Sequence, residues 1–239
     1  MKVMVLGHTG MLGNLVCDYL RKLDDVSFVT TKYRWPTDSF KTSIRNFDGD
    51  YIINCIGAIP QRTKKFEVNY ELPIWLDDVV DCRVIHPATD CEMDDDDYGR
   101  SKFKAGRHLS LHGSNTKQIV TSIIGHEVNT NFSLLDWFLN SEGEVFGWSE
   151  HYWNGNTTLE WVKQAHIMMT TWDKYAKRTV ISTDCISKYE LLNIIKEVYE
   201  KDIIINKNDE VQANKCLNGQ IKTKPIREQL KELKVFYDN

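Results

Sequence analysis

The stretch "KVMVLGHTGMLGNLVCDYLRKL", residues 2–23, decides the fold. Its first apolar run ends at Gly7 and reads as a short strand buried on both faces. From there Leu12, Leu15, Val16, Tyr19, Leu20 and Leu23 recur at helical spacing. Between strand and helix stand Gly7, Gly10 and Gly13, a G-x-x-G-x-x-G pattern. Glycines there permit a tight turn and let a ligand approach the backbone closely. The helix start adds N–H donors and the positive end of its dipole. Strand, glycine turn and helix in this order predict a dinucleotide site. Gly7, Thr9, Gly10, Met11, Leu12 and Gly13 are its expected contacts.

The pattern continues outward from that unit. "VSFVTT" (26–31), "DYIINCIG" (50–57), "CRVIHPAT" (82–89) and "KQIVTSIIG" (117–125) read as further strands. Helical segments fall between them, around "FEVNYELPIWLDDVV" and "YGRSKFKAGRHLSLH". Such alternation predicts an α/β fold, a Rossmann-type doubly wound parallel sheet. After about residue 126 the composition changes, and five of the seven tryptophans fall within residues 137–172. That density predicts a small C-terminal substrate-binding lobe. The expected division is residues 1–126 as the NAD(P)-binding domain and 127–239 as a mixed region. Within the latter, about 158–200 returns to the sheet, and "STDCISKYELLNIIKEV" places a polar cap before an amphipathic helix.

The end of the second strand distinguishes the two nicotinamide cofactors. An acid there would read the ribose of NAD, and a basic group accommodates the 2′-phosphate of NADP. The residues are "VTTKYRW", which offer Lys32 and Arg34 and no acid. NADP is therefore expected, with NAD as the alternative.

Bulk properties narrow the classes of partner. A net charge of −4 over 239 residues provides no basic field for nucleic acid or an anionic membrane. No apolar run approaches the roughly 20 residues of a membrane span. The opening "MKVMVLGHTG" is too short and too glycine-punctuated to read as a signal peptide, so the cytoplasm is the expected location. The six cysteines, at 17, 55, 82, 91, 185 and 216, show no C-x-x-C spacing and are expected to act mostly as small buried hydrophobes. The histidines form no metal-ligand pattern, so no metal is expected. Neither a nucleophile elbow nor a P-loop lysine is present, which leaves hydrolase and kinase readings without support.

The chemistry points to "DDDDYGRSK", residues 94–102. Tyr98 and Lys102 are four apart and share a face of a helix. A neighbouring ammonium stabilises a phenolate, so the pair suits proton transfer to a carbonyl oxygen as hydride reaches the carbon. The four aspartates ahead of it read as a helix cap. Because they oppose ionisation of the phenol, most of them are expected to face solvent. In the tryptophan-rich lobe, "EHYWNGNTTLEW" (150–161) offers His151, Tyr152, Trp153 and Asn154 as a polar-aromatic cluster. It suits either a sugar nucleotide or a packed loop core.

Taken together, these motifs resemble the extended short-chain dehydrogenases/reductases, and among them the dTDP-4-dehydrorhamnose reductase-like sugar-nucleotide reductases. The matching segments are "GHTGMLG" (7–13), "NCIG" (54–57), "ATD" (88–90), "YGRSK" (98–102) and "TSIIG" (121–125), with "VNYELPIWL" around Asn69. The likeness is close over residues 1–130 and loose beyond. It implies Tyr98 as the acid, Lys102 as the ribose ligand that tunes it, and Thr89 as a hydrogen-bond partner of the substrate carbonyl. It also lays Asn54, Cys55, Ile56 and Gly57 along the cofactor. The implied activity is NAD(P)H-dependent reduction of a 4-keto-6-deoxy nucleotide sugar in deoxysugar and polysaccharide biosynthesis. Cys91 stands where related dehydratases carry a second acid, which favours the reductase. The step from Thr89 to Tyr98 is short for the family. The alternative is therefore a non-catalytic NAD(P)-binding relative serving as a regulatory or scaffolding subunit. Self-association as a homodimer is left open.

Overall fold

The structure, a computed structural model, describes residues 1–238. The chain divides into two compact units, Met1–Val120 with Val162–Thr179, and Thr121–Trp161 with Val180–Asn239.

In the first unit, strands and helices alternate as the apolar periods dictate. They are β1 (Lys2–Leu6), α1 (Met11–Arg21), β2 (Ser27–Thr30), α2 (Asp38–Arg45), β3 (Tyr51–Asn54), α3 (Val68–Val79), β4 (Arg83–Ala88), α4 (Asp97–His112) and β5 (Thr116–Val120). A 3-10 turn, Asp90–Met93, fills the step between β4 and α4. The strands pair in parallel in the order β2-β1-β3-β4-β5, with Leu6 beside Asn54 and Ala88 beside Val120. β3 and β4 are sequential neighbours, but β1 lies between β2 and β3. The strand order therefore reverses at β1, and the crevice beyond the carboxyl ends of β1 and β3 is where such sheets bind ligands.

Both faces of this sheet are covered. Met4, Leu6, Ile52 and Val84 pack on Phe40 and Ile44 of α2 and on Leu72 and Leu76 of α3. On the other face, the Tyr51 hydroxyl donates to the carbonyl of Met169 at 2.6 Å. Met169 lies on α6 (Thr158–Thr170), most of which belongs to the first unit. Fully buried β-branched strands between helical layers are what the near-continuous apolar runs require.

The second unit holds short elements: β6 (Ile123–Ile124), α5 (Leu134–Asn140), β7 (Glu144–Trp148), β8 (His151–Trp153) and β9 (Asn156–Thr157). After α6 come β10 (Arg178–Ser182), β11 (Ile186–Ser187), α7 (Lys188–Tyr199), β12 (Ile204–Asn208), β13 (Ala213–Asn214), β14 (Ile221–Lys222) and α8 (Ile226–Asp238). β10 begins in the first unit, where the Gln118 N–H donates to Lys177 O at 2.8 Å. It then runs into the second unit to pair with β14, so the full sheet is β14-β10-β5-β4-β3-β1-β2. The cap predicted before the late amphipathic helix is a full capping box at the head of α7, between Ser187 and Glu190.

Two cysteines depart from the expected role. Cys185 and Cys216 form a disulfide across 31 residues, while Cys17, Cys55, Cys82 and Cys91 stay outside any disulfide. The pairing has no local signal because β8 brings the partners together. β8 pairs with β11 on one side and β13 on the other, which carries the residues next to each strand to the same end. Asn154 just beyond β8 exchanges two 2.8 Å hydrogen bonds with Leu217, next to Cys216. No helix among the described residues is long and apolar enough to cross a membrane.

Candidate active site

The site begins at the end of β1. Gly7 has φ +77°, and a Cβ there would lie 2.9–3.0 Å from the backbone of Cys55 and Ile56, so glycine lets the β1 and β3 ends meet. A Cβ on Gly13 would fall on the Gly7 carbonyl, so α1 also packs against its own turn. Gly10 differs: its Cβ would meet only Gly7 O, at an ordinary 3.5 Å. Packing does not demand glycine at this position. Gly10 is also the N-cap of α1, with no side-chain cap hydrogen bond, and the first turn carries no acid. Thr9 is exposed, Met11 half-buried and Leu12 buried. An uncapped helix start with open space over its N-cap suits a phosphate group. Accordingly, Gly13→Ala is expected to destabilise the fold by several kcal/mol, in the range of strained or overpacked core changes. Gly10→Ala should leave the melting temperature close to wild type and weaken NADPH binding, as thermal melts and fluorescence titration would show.

The β3 loop lies beside this turn. The Cys55 N–H donates to Leu6 O at 3.0 Å, and Asn54, fully buried, accepts from the Ile56 N–H and faces His86 Nδ1 at 3.3 Å. Asn69 of α3 fixes the loop to the next helix. Its Oδ1 accepts from the Ala58 N–H at 2.7 Å, and its Nδ2 donates to Ala58 O and to Ser101 Oγ, both at 3.0 Å. Asn69 therefore joins the segment after β3 to α4, a role that its presence in a matching helix did not reveal.

The start of α4 is built as the aspartate run predicts. Asp96 is the N-cap, its side chain accepting from the Gly99 N–H at 2.6 Å. Asp95 pairs with Arg100 at 3.2 Å, and Asp95, Asp96 and Asp97 are exposed. Gly99 allows the tight return from the 3-10 turn, since a Cβ there would lie 2.5 Å from the carbonyl oxygens of Cys91 and Asp94. By this fold the short step from Thr89 closes on itself. Tyr98 returns to lie beside Thr89. Thr89 also donates to Asp90 Oδ1 at 2.9 Å and caps the 3-10 turn through the Cys91 N–H. Phe66 covers the Tyr98 ring edge-on at 5.8 Å.

Electrostatics at the pair differs from the helical expectation. Burial holds the Tyr98 phenol well above its ordinary value, Cys91 and Asp90 add to that, and the nearby Thr89 hydroxyl only partly opposes it. Lys102 does not act on the phenol in this arrangement, because it turns the other way. Its Nζ lies 3.5 Å from where a Gly57 Cβ would be, next to Asn69 Oδ1. Lys102 is 8% exposed, and burial lowers its ammonium from near 10.5 to about 8, with Glu92 and Cys91 opposing. Gly57 itself is exposed. A buried ammonium close to an exposed glycine can offer its donors to hydroxyl groups of a ligand.

The first unit thus gathers Gly7, Gly10, Gly13, Asn54, Cys55, Ile56, Gly57, Thr89, Tyr98 and Lys102 around the carboxyl ends of β1, β3 and β4. Lys32 and Arg34 stand apart, exposed on the loop after β2. The Lys32 ammonium lies over the Tyr33 ring at 5.7 Å, and Arg34 O accepts from Thr37. In the second unit, Trp153 and Asn154 are buried and structural, and only His151 and Tyr152 reach the surface. His151 stacks on Trp148 with centroids 5.2 Å apart.

A scan against protein-family models finds no match, and a search of curated proteins finds no relative. Solved structures do match over the whole chain. The UDP-N-acetylglucosamine 4-epimerase from Bacillus cereus is 16% identical, with a TM-score of 0.75 and full coverage of both chains. A dTDP-4-dehydrorhamnose reductase from Clostridium acetobutylicum is 16% identical, with a TM-score of 0.72 and full coverage of both. The dTDP-4-dehydrorhamnose reductase from Bacillus anthracis, in complex with NADP, is 13% identical, with a TM-score of 0.70 and 98% coverage of each. At these identities the likeness establishes the Rossmann-type fold these enzymes share.

Proposed function

We propose that the chain is an NADPH-dependent reductase of a 4-keto-6-deoxy nucleotide sugar. The observation that carries this reading is the placement of Tyr98 beside Thr89, one helical turn from the buried Lys102 whose ammonium lies near Gly57. Structural neighbours that reduce or epimerise nucleotide sugars, one of them holding NADP, support it.

The residues present fit a dinucleotide. Gly7, Thr9, Gly10, Met11, Leu12 and Gly13 line the uncapped start of α1 for the pyrophosphate. Asn54, Cys55, Ile56 and Gly57 form the floor beside it, Lys102 holds ribose hydroxyls, and Lys32 and Arg34 take a 2′-phosphate. When bound, the nicotinamide supplies hydride to the substrate's carbonyl carbon. Thr89 holds the carbonyl oxygen with its hydroxyl, and Tyr98 donates its phenolic proton to that oxygen. The raised phenol is the protonated form at neutral pH, which is the state a general acid needs.

The test is NADPH oxidation against a panel of 4-keto-6-deoxy nucleotide sugars across pH. Lys102 titrates at about 8, so its charge is full at pH 6 and lost as pH rises through that value. Consequently kcat/KM should fall about tenfold per pH unit above it. Cofactor binding with no turnover on any member of the panel would favour a non-catalytic subunit instead.

A further inference from the structure

A buried carboxylate lies behind this site, and the proposed reaction does not use it. Glu92, on the 3-10 turn after β4, has a side chain 7% exposed. Arg178 at the start of β10 takes both of its oxygens, Nη1 donating to Oε1 at 3.3 Å and Nη2 to Oε2 at 2.7 Å. Arg178 Nη1 also donates to Gln118 Oε1 at 3.3 Å. The carboxylate rests on α4, where a Cβ on Gly106 would lie 2.9 and 3.1 Å from its two oxygens. Gly106 is four residues after Lys102 and so on the same helical face. Lys102 and Glu92 act on each other electrostatically across that face, yet Lys102 makes no hydrogen bond to the carboxylate.

The local charge inventory gives this placement its meaning. Glu92 and Cys91 from the 3-10 turn act on Lys102, His86 of β4 feels both Lys102 and Arg178 of β10, and Tyr98 on the same helix is turned away. Lys102 and Arg178 both disfavour a charge on the fully buried His86, which stays neutral. Two cations thus share one close carboxylate. Because the guanidinium fork occupies both oxygens, Glu92 stabilises the ammonium from a distance and leaves its three donors free.

We propose that Glu92 is a positioning residue whose carboxylate, clamped by Arg178, keeps Lys102 charged while leaving its donors turned to Gly57. The inference rests on the reductase reading only for what Lys102 holds. Neutralising Glu92 would remove the anion that opposes burial at Lys102, and removing the guanidinium would leave burial free to raise Glu92 further and protonate it. Both substitutions should therefore lower the Lys102 midpoint, which an ion pair that only packs the helix would not do.

The experiment is an NMR titration of the Lys102 side chain in the full chain without cofactor, assigned by comparison with Lys102→Met. Glu92→Gln should lower the Lys102 midpoint by about 1 pH unit or more, and Arg178→Gln should move it in the same direction. The double variant Glu92→Gln/Arg178→Gln, which keeps a neutral hydrogen-bonded pair, should match Glu92→Gln rather than wild type. NADPH binding by Glu92→Gln should be about tenfold weaker at pH 8 and close to wild type at pH 6. Should Glu92→Gln fail to fold, the downward shift in Arg178→Gln and in the double variant decides the matter. Midpoints unmoved in folded variants would overturn the inference even if the protein proves to be a reductase. Moved midpoints in a protein that reduces no keto sugar would sink the reductase reading and leave this one standing.

Discussion

Replacing Tyr98 by Phe is expected to lower turnover by about 10²- to 10⁴-fold, the usual worth of a positioned general acid. The fold should survive it. Phe keeps the ring that Phe66 covers and loses only the phenolic oxygen, a change worth at most about 1 kcal/mol. NADPH binding should persist, since the phosphate-facing turn and Lys102 are untouched. The outcome separates a proton donor from a packing residue: stopped-flow hydride transfer would fall while cofactor affinity and melting temperature stay. A variant that turns over at the wild-type rate would remove Tyr98 from the chemistry.

Lys102→Met should do something less common, abolishing activity while raising stability. The ammonium is buried, and its fall from 10.5 to about 8 is a shift of about 2.5 units. At 1.36 kcal/mol per unit this corresponds to about 3 kcal/mol by which the folded state disfavours the charged form at neutral pH. Between pH 8 and 10.5 the unfolded chain binds the proton that the folded chain has lost, so wild-type stability rises with pH across that window. A methionine of similar length removes both the penalty and the slope. Urea unfolding at pH 7 should show a gain of up to about 3 kcal/mol, shrinking toward zero near pH 10.5. A loss of stability at pH 7 would mean that Lys102 is held by contacts stronger than its desolvation.

The parts legible from the sequence are those with local causes. The β1–α1 unit follows from one apolar run, one amphipathic period and three glycines, and the aspartate cap follows from the run before Tyr98. The capping box at Ser187–Glu190 is likewise a three-residue signal. What escaped depends on distance in the chain. Glu92 and Arg178 are 86 residues apart, and nothing near either one announces the other. Cys185 and Cys216 meet because two short strands share β8, a topology without a period of its own. Asn69 was visible as a residue in a matching helix, but its clamp on Ala58 and Ser101 needs the loop's path in space.

The direction of Lys102 illustrates the same limit. Spacing of four places it with Tyr98 on one helical face, but spacing does not say where a flexible four-carbon arm ends. Packing turns it toward Gly57 and Glu92, and the phenol is left to burial and to Thr89. The glycines show the converse. Three that look alike in sequence divide into two that packing requires, Gly7 and Gly13, and one, Gly10, that it does not.

The central claim is that Tyr98 and Lys102 border a nicotinamide ring held over the β1 turn. A crystal structure of the chain with NADP and a nucleotide sugar measures this directly. The account predicts the Lys102 ammonium on the ribose hydroxyls and the Tyr98 oxygen about 3 Å from the sugar's C4 oxygen, with nicotinamide C4 about 3–3.5 Å from the carbon. A cofactor seated at the glycine turn whose ring lies away from Tyr98, with the phenol still closed against Thr89 and Phe66, would contradict it.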